Sequence, residues 1–465
     1  MGRAISVVSW IGFFAAGGCT SLDPSDEQRR LTADLGTAVG IGVTIPDADE
    51  SLQPSPEVAE LLAAPVDELA AVRIALLNNH SVRAAYDRLG IARADLVQAG
   101  LLRNPAFDLD ARFVEGGGTD LEFGLSQPIL ELFFLPLRQR LAEHEFEAAK
   151  LRITEELVGF VAAVRRAHVV ATAAENTVAL RREALAAAVA AHDLRAELYA
   201  AGNTTDQVLA MDRVAESQAR LDLAEAELDA SSVKEHLQEQ LGLWGPHTVW
   251  SLAALPSEQP LDGVDLERIE ARAVERSLDL RAHRQGLDGL AQRAGLDSWR
   301  GWFPELIVGP NGIRMPGGTW GFGPRLEGEL PLFDTGSTRR ERNRAALRAG
   351  MRDFVQLGVA VRAAARRLRE RAAVLADRVR FYRDTHLPHR DQVVRATLQV
   401  YNAMQIGAFD ALAQKRVQID DRIAYVRTLR DAHLARIDLW QLLAGSMPDD
   451  SSHRPRAGTD HGGMP

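Results

Sequence analysis

Between residues 332 and 401 apolar positions recur at alternating steps of four and three: Leu347, Met351, Phe354, Gly358, Val361, Ala365, Leu368, Ala372, Leu375, Val379 and Tyr382. That spacing is a heptad seam. Arg362, Arg366, Arg369 and Asp377 fall off the seam, so the opposite face is charged and solvated. The first proline in the run is Pro388. A helix over 335–401 would extend on the order of 100 Å, and a helix of that length needs packing partners along all of it. A second helical pattern covers 66–98 and carries Leu69, Val72, Leu76, Leu77, Val82, Ala85, Leu89, Ala92 and Leu96.

Elsewhere the period drops to two. Phe107, Leu109, Ala111 and Phe113 alternate with Asp108, Asp110 and Arg112; Leu121, Phe123 and Leu125 alternate with Asp120, Glu122 and Ser126. Further on, Trp320, Phe322, Leu326 and Leu330 alternate with Gly321, Gly323, Arg325, Glu327 and Glu329, while 305–309 alternates poorly. Each run has about the length of a tilted transmembrane strand, with one face suited to lipid and the other to water. Four such strands are too few to seal a conducting barrel, and an open sheet in lipid leaves its edges unpaired. A membrane reading therefore requires several chains to share one barrel. A soluble two-layer sheet is the other architecture for such runs. Trp299, Trp302, Phe303, Trp320 and Phe322 sit near strand ends, where interfacial aromatic girdles lie.

The pattern occurs twice. Val82-Arg83-Ala84 matches Leu280-Arg281-Ala282, and each opens a helix followed by Asn104-Pro105 or Phe303-Pro304. Two strand-like runs and a glycine-rich turn come next, then Gln127-Pro128-Ile129-Leu130 or Leu330-Pro331-Leu332-Phe333. A long helix follows in both copies, running to Tyr199 through Gly202 in one and Tyr401 through Gly407 in the other. The return helices end at Leu241-Gly242-Leu243 and Leu442-Leu443-Ala444-Gly445. This divides the chain into a leader (1–18), an extended tether (19–65), a first repeat (66–245), a linker (246–265), a second repeat (266–445) and a disordered tail (446–465).

Composition narrows the function. The 465 residues are 46% hydrophobic with net charge −10, which disfavours nucleic acid and offers no polybasic patch for a membrane surface. The one cysteine, Cys19, follows Arg3 and an apolar run over 4–16, the arrangement of a secretory signal peptide. Ala16-Gly17-Gly18-Cys19 resembles the lipobox of bacterial lipoproteins, with alanine where that pattern favours leucine; a plain secreted protein with a free thiol is the other reading. Catalytic, cofactor-binding and metal sites are not expected. His144-Glu145 lacks the second histidine of a zinc helix, and the glycines between Gly317 and Gly328 precede no helix. His386 and His389, three apart, read as a metal pair or as a solvated face beside Pro388. His453, His461 and Met464 read as a copper or silver scavenger or as an unstructured terminus.

The duplicated unit, Ala99 through Pro105, the exits Gln127-Pro128 and Leu330-Pro331, His386-Leu387-Pro388 and the tyrosine-to-glycine helix tips together resemble the TolC-like outer-membrane efflux proteins over roughly 66–445. The resemblance implies a mainly α fold with a small β part, built from a duplicated helix–β-hairpin–long helix–return helix unit. It implies a homotrimer in which a long coiled-coil α-helical barrel continues four strands per chain, shared in a twelve-stranded transmembrane β-barrel. Tyr199, Gly202, Asp206, Tyr401, Gly407 and Asp410 would then form the periplasmic tips that meet an adaptor protein, with an inner-membrane pump as energy source and outer-membrane lipid around the strands. Asp206 and Asp410 also read as caps of the return helices, and a glycine fits each sharp turn. Asp108, Asp110, Glu327 and Glu329 would face the lumen and favour cations. The competing class is a lipid-anchored periplasmic coiled-coil scaffold or adaptor without a pore.

Overall fold

The computed structural model describes residues 56–114, 118–254, 267–300, 305–315, 318–329, 332–333 and 336–448, together with Arg29, Thr32, Ala33 and Gly36. The leader, Cys19, most of the tether, Trp302, Phe303, Pro304, Gly317, Leu330, Pro331 and the tail with His453, His461 and Met464 lie outside the described residues.

Helices α1 (Pro56–Leu62), α2 (Glu68–Asn78) and α3 (His80–Gly100) lead into strands β1 (Ala106–Val114) and β2 (Gly118–Pro128). The long helix α4 (Leu130–Ala200) and the return helix α5 (Asp206–Leu241) follow. The order then repeats as α6 (Ile269–Arg276), α7 (Leu278–Arg300), β3 (Leu306–Arg314), β4 (Trp320–Gly328), α8 (Ser337–Phe381), α9 (Leu387–Asn402) and α10 (Ala408–Leu443). α4 has 71 residues, so it spans about 107 Å at 1.5 Å per residue.

The heptad seam is the buried face of α8. Val361, Ala365, Ala372 and Val379 are buried, whereas Arg362, Arg366, Arg369 and Asp377 are exposed. Met351, assigned to the same seam, is exposed; at that level α8 turns Gly350 towards Leu287 of α7. Between α8 and α9 the helix makes one π-turn, Tyr382–His386, closed by the Leu387 N–H on the Tyr382 carbonyl five residues back. Pro388 explains it: a proline removes one N–H and its ring crowds the carbonyl four residues earlier, and the extra residue moves that carbonyl aside without ending the helix.

Three apolar clusters hold the helices. One joins α1, α2, α3, the middle of α4 and the end of α5, through residues such as Ile74, Leu89, Leu157, Leu237 and Leu241. Another joins α6, α8 and α10 through Ile269, Val361, Ala365 and Leu439. The third ties the two halves together, setting Ala162 and Val169 of α4 against Val379, Leu429 and Ile437. The last part of the tether region is helical, α1 burying Val58, and Val66 at the start of the first repeat forms a bridge to Leu252. That bridge and the buried Trp250 also bring the start of the linker into the body.

The single helix expected over 66–98 is two helices. Asn79 ends α2 and caps α3, its side chain accepting from the Ser81 N–H at 2.8 Å. Both asparagines reach across to the end of α5. Asn78 Nδ2 donates to the carbonyls of Leu241 and Gly242 at 3.0 and 2.6 Å, and Asn79 Nδ2 to that of Gln240 at 2.8 Å. These are the carbonyls a helix end leaves without partners. Gly242 has φ +67°, and a Cβ there would lie 3.1 Å from the Asn78 carbonyl oxygen. The second half repeats the device at the break between α6 and α7, where the Leu278 N–H bonds the Gly445 carbonyl at 2.9 Å.

At the tips the two halves share one backbone hydrogen-bond pattern, residue for residue, with a different counterpart for Gly202 than the sequence suggests. Gly202 takes φ +75°, with its N–H on the Tyr199 carbonyl and the Asn203 N–H on that of Leu198. The equivalent in the second tip is Met404, at φ +58°, with its N–H on Tyr401 and the Gln405 N–H on Val400. Gly407 has φ −77° and is the N-cap of α10. It stands where Thr205, whose hydroxyl accepts from the Val208 N–H, caps α5. The tyrosine-to-glycine spacing misaligned the turns because in the second copy the left-handed position is occupied by an L-residue.

Four substitutions test these contacts. Asn78→Ala should lower the unfolding free energy by about 1–3 kcal/mol through the orphaned carbonyls of α5, and Asn78→Asp, equal in shape but without donors, should cost as much; urea unfolding followed by far-UV circular dichroism measures both. Met404→Gly should raise stability by about 1 kcal/mol in the same assay, because a left-handed L-residue carries that order of penalty, while Gly202→Ala should lower it similarly.

Candidate functional site

The four strands form one antiparallel sheet in the order β1-β2-β3-β4, leaving β1 and β4 as edges within the chain. β3 runs over 306–314, longer than the poorly alternating 305–309, because Pro310, Asn311 and Gly312 hide its period. The register sets Phe107, Leu109 and Ala111 opposite Leu125, Phe123 and Leu121, and Asp108 and Asp110 opposite Gly124 and Glu122. The two faces therefore separate as the alternation requires. The apolar face is open: Phe107 is 67% exposed, Phe322 74% and Leu326 71%. A two-layer sheet would have covered those residues.

Aromatic rings from β2 and β4 meet over β3. Phe123 lies edge-on to Trp320 and Phe322, at 5.7 and 6.1 Å between centroids, and Trp320 stacks on Phe322. Gly312 makes this possible, since a Cβ there would sit 2.5 Å from the Phe123 ring. Trp299 is exposed at the end of α7.

The other face is a network of charges. Arg325 on β4 reaches Asp108 on β1 at 3.2 Å and Glu327 at 3.1 Å. It crosses glycine-lined backbone to do so, because a Cβ on Gly124 would lie 2.7 Å from the Asp108 carboxylate. Arg112 pairs with Asp110 at 2.8 Å and approaches Glu122 at 3.7 Å, and Asn311 Nδ2 donates to Glu122 at 3.0 Å. Of the four strand acids singled out by sequence, Asp108, Asp110 and Glu327 are thus held by arginines, and Glu329 lies one residue beyond β4. Asp108, Asp110, Asp120, Glu122 and Glu327 still outnumber Arg112 and Arg325, so this face stays negative. Arg325 does not stand out in the sequence because its partner Asp108 lies on another strand, 217 residues away.

At the far end of the helices Tyr199 and Tyr401 are partly exposed and Met404 is 94% exposed. Asp206 opens α5, and the Asp410 carboxylate accepts from the Gly407 N–H at 3.2 Å, so both aspartates sit at helix starts, where negative charge is stabilised. The two tips are coupled by Arg195 of α4, which bonds Asp212 of α5 at 2.7 Å and lies 3.4 Å from the ring centre of Phe409 in α10. Lys415 to Glu183, at 3.6 Å, repeats the link between α10 and α4. Sequence gave no signal for either contact.

Beside the π-turn, His386 Nε2 lies 3.2 Å and Arg390 Nε 2.6 Å from Asp421, and Tyr382 packs on His386 and Tyr425. Burial pushes the Tyr425 hydroxyl above its ordinary range against the opposing pull of Arg383, and the hydrogen bond from Arg383 holds Asp384 below the usual carboxylate range. His389 is exposed and does not join His386. Among the described residues no three His, Cys, Asp or Glu side chains are grouped to hold a metal ion. His144 bonds Gln285, and Glu145 pairs with Arg293.

Neither a protein-family model nor a curated protein matches the sequence. Solved structures do. CusC, studied for the conformational changes that accompany folding and transmembrane channel formation, superimposes with a TM-score of 0.67 at 15% identity, over 86% of this chain and 99% of that one. The outer membrane channel CmeC of Campylobacter jejuni gives 0.65 at 14% identity, over 88% and 95%. The open state of the MtrE outer membrane channel of Neisseria gonorrhoeae gives 0.64 at 17%, over 83% and 91%. The match extends over nearly the whole length of each of these chains, and the fold of this protein is that of the TolC-like outer-membrane efflux channels.

Proposed function

We propose that this chain is the protomer of a homotrimeric outer-membrane export duct, the channel component of a tripartite efflux system. The carrying observation is the sheet: an uncovered apolar face, a charged opposite face and two open edges. In hydrocarbon the apolar face is at home, but each unpaired edge group costs several kcal/mol, and identical neighbours pairing β4 to β1 remove that cost. All four strands alternate in direction, so β4 and the next copy's β1 are antiparallel and the ring closes without a new strand type. The helices carry a matching demand. Met211, Val214, Leu221 and Leu228 of α5 are exposed, as are Val374, Phe381, Val393 and Leu398 along α8 and α9. Exposed apolar stripes of this length fit the seams between protomers of a helical barrel.

On this reading Tyr199, Gly202, Asp206, Tyr401, Gly407 and Asp410 lie at the periplasmic end, against an adaptor protein that links the duct to an inner-membrane pump. Cys19 is the lipid anchor. The chain performs no chemistry; pump and adaptor supply energy and selection, and the cargo is small molecules or metal ions. A pore-free periplasmic scaffold leaves the open sheet unexplained.

Purified from membranes, the protein should run as a detergent-dependent, heat-modifiable trimer and conduct ions in planar bilayers. A water-soluble monomer after removal of residues 1–19 would exclude the duct. The paired charges sharpen the ion preference expected of it. Replacing Asp108, Asp110, Glu327 and Glu329 by Asn or Gln should weaken cation preference, whereas Arg325→Ala should strengthen it by releasing Asp108 and Glu327; reversal potentials in a salt gradient measure both, and an unchanged preference in the two variants would remove these residues from the lumen wall.

A further inference from the structure

The sheet interrupts itself at the centre. Pairing between β2 and β3 runs from Leu121↔Arg314 to Gly124↔Asn311 and resumes at Gln127↔Val308, skipping 125–126 and 309–310. Pro310 brings no N–H to the ladder and stands opposite Pro324, a second residue without one. Gly309 lets the backbones close in, since a Cβ there would meet the Leu125 carbonyl oxygen. Above this break, on the apolar face, opens a hollow of about 640 Å³ walled by Phe107, Phe123, Leu125, Val308, Pro310 and Phe322.

Its level decides what can fill it. Phe123, Pro310 and Pro324 are the middle residues of β2, β3 and β4. In a membrane-spanning sheet that is the mid-depth of the bilayer, where neither headgroups nor water reach. A neighbouring copy would cover the β1 and β4 edges and leave the middle of the face free. The walls are hydrocarbon and aromatic, and 640 Å³, at roughly 30 Å³ per water-sized group, holds about twenty methylene-sized groups. We propose that the hollow over the Gly309-Pro310 break is a binding site for one acyl chain of a membrane phospholipid, held between the rings of Phe107, Phe123 and Phe322. The proposal rests on the membrane reading given above. Chains in the surrounding bilayer touch a protein on one side only. The hollow is open on its bilayer side, and a chain lying in it touches the strand floor and the rings of Phe107, Phe123 and Phe322, so it gains dispersion contacts that its fluid neighbours lack, and it is exchanged more slowly.

The full chain is reconstituted in vesicles of palmitoyl-oleoyl phosphatidylethanolamine, extracted in mild detergent, and retained phospholipid is counted by native mass spectrometry. About one lipid per chain is expected. Val308→Trp, which fills the hollow, should lose it, and Phe322→Ala, which removes a wall, should retain at most a third as much. Leu109→Trp places a tryptophan on the same face outside the hollow and should leave the count unchanged. Insertion of the wild-type chain without retained lipid overturns the site, whether or not Val308→Trp folds. Equal retention by wild type, Val308→Trp and Phe322→Ala also overturns it, as does equal loss in Leu109→Trp, since the lipid would then be bulk annulus. Failure of the wild-type chain to insert brings down the membrane reading and the hollow with it.

Discussion

A helix of 71 residues draws most of its stability in a protein from side-chain contacts along the whole cylinder. α4 finds them in α2 and α3 near the middle, α7 towards the sheet, α5 towards the tip, and α10 from the other half of the chain. The duplicated half solves the same problem with α6, α7 and α10 around α8. The two halves are held together by α7 against α4, by the pairing of β2 with β3, and by α4 with α10, the last apolar through Ala162, Val169, Leu429 and Ile437 and polar through Arg166, whose guanidinium bonds Asp438 and Gln441. The sheet contributes little to the packing of the helices. Its strands pair with one another and present an apolar face to nothing else in the chain, so its stability has to come from what surrounds it.

Much of this arrangement was legible in the sequence because it is periodic. Heptad spacing located the seam of α8, period two located β1, β2 and β4, and the recurrence of both in the same order located the duplication. The misses have a common physical cause: they depend on residues far apart in sequence or on backbone conformation. The break at Asn79 follows from Asn78 and Asn79 reaching α5 more than 160 residues away. The left-handed Met404 has no chemical signature, because methionine is not a residue that seeks that conformation. β3 lost its period to Pro310 and Gly312, which serve their neighbours' rings and backbone rather than its own alternation. Arg325 could be placed on the polar face from sequence, but its reach to Asp108 depends on the bare backbone at Gly124.

That reach alters how the polar face should be understood. Four acids counted along the strands suggest a strongly negative wall; three of them are engaged by guanidinium groups at 2.8 to 3.2 Å. Half-exposed pairs of this kind contribute little to folding. Their effect is on the electrostatic potential of this face, because a paired carboxylate presents a dipole where a free one presents a charge.

The halves differ most along their long helices. α4 runs unbroken to its tip, although it tolerates Pro136 in its first two turns. The corresponding helix of the second half carries Pro388 deep in its length and absorbs it with a π-turn instead of a break. A π-turn has weaker axial hydrogen bonding than the helix around it, so bending strain concentrates there. Asp421 of the return helix binds His386 and Arg390 across the same level, and Tyr382 rests on Tyr425, so α9 and α10 stay together below the turn. The second hairpin thus carries, in one turn of π geometry, a local weakening of the helix that the first lacks. Arg195, lodged between Asp212 and Phe409, connects the two hairpins close to the tips, so the interrupted helix and the unbroken one are tied to each other at their far end.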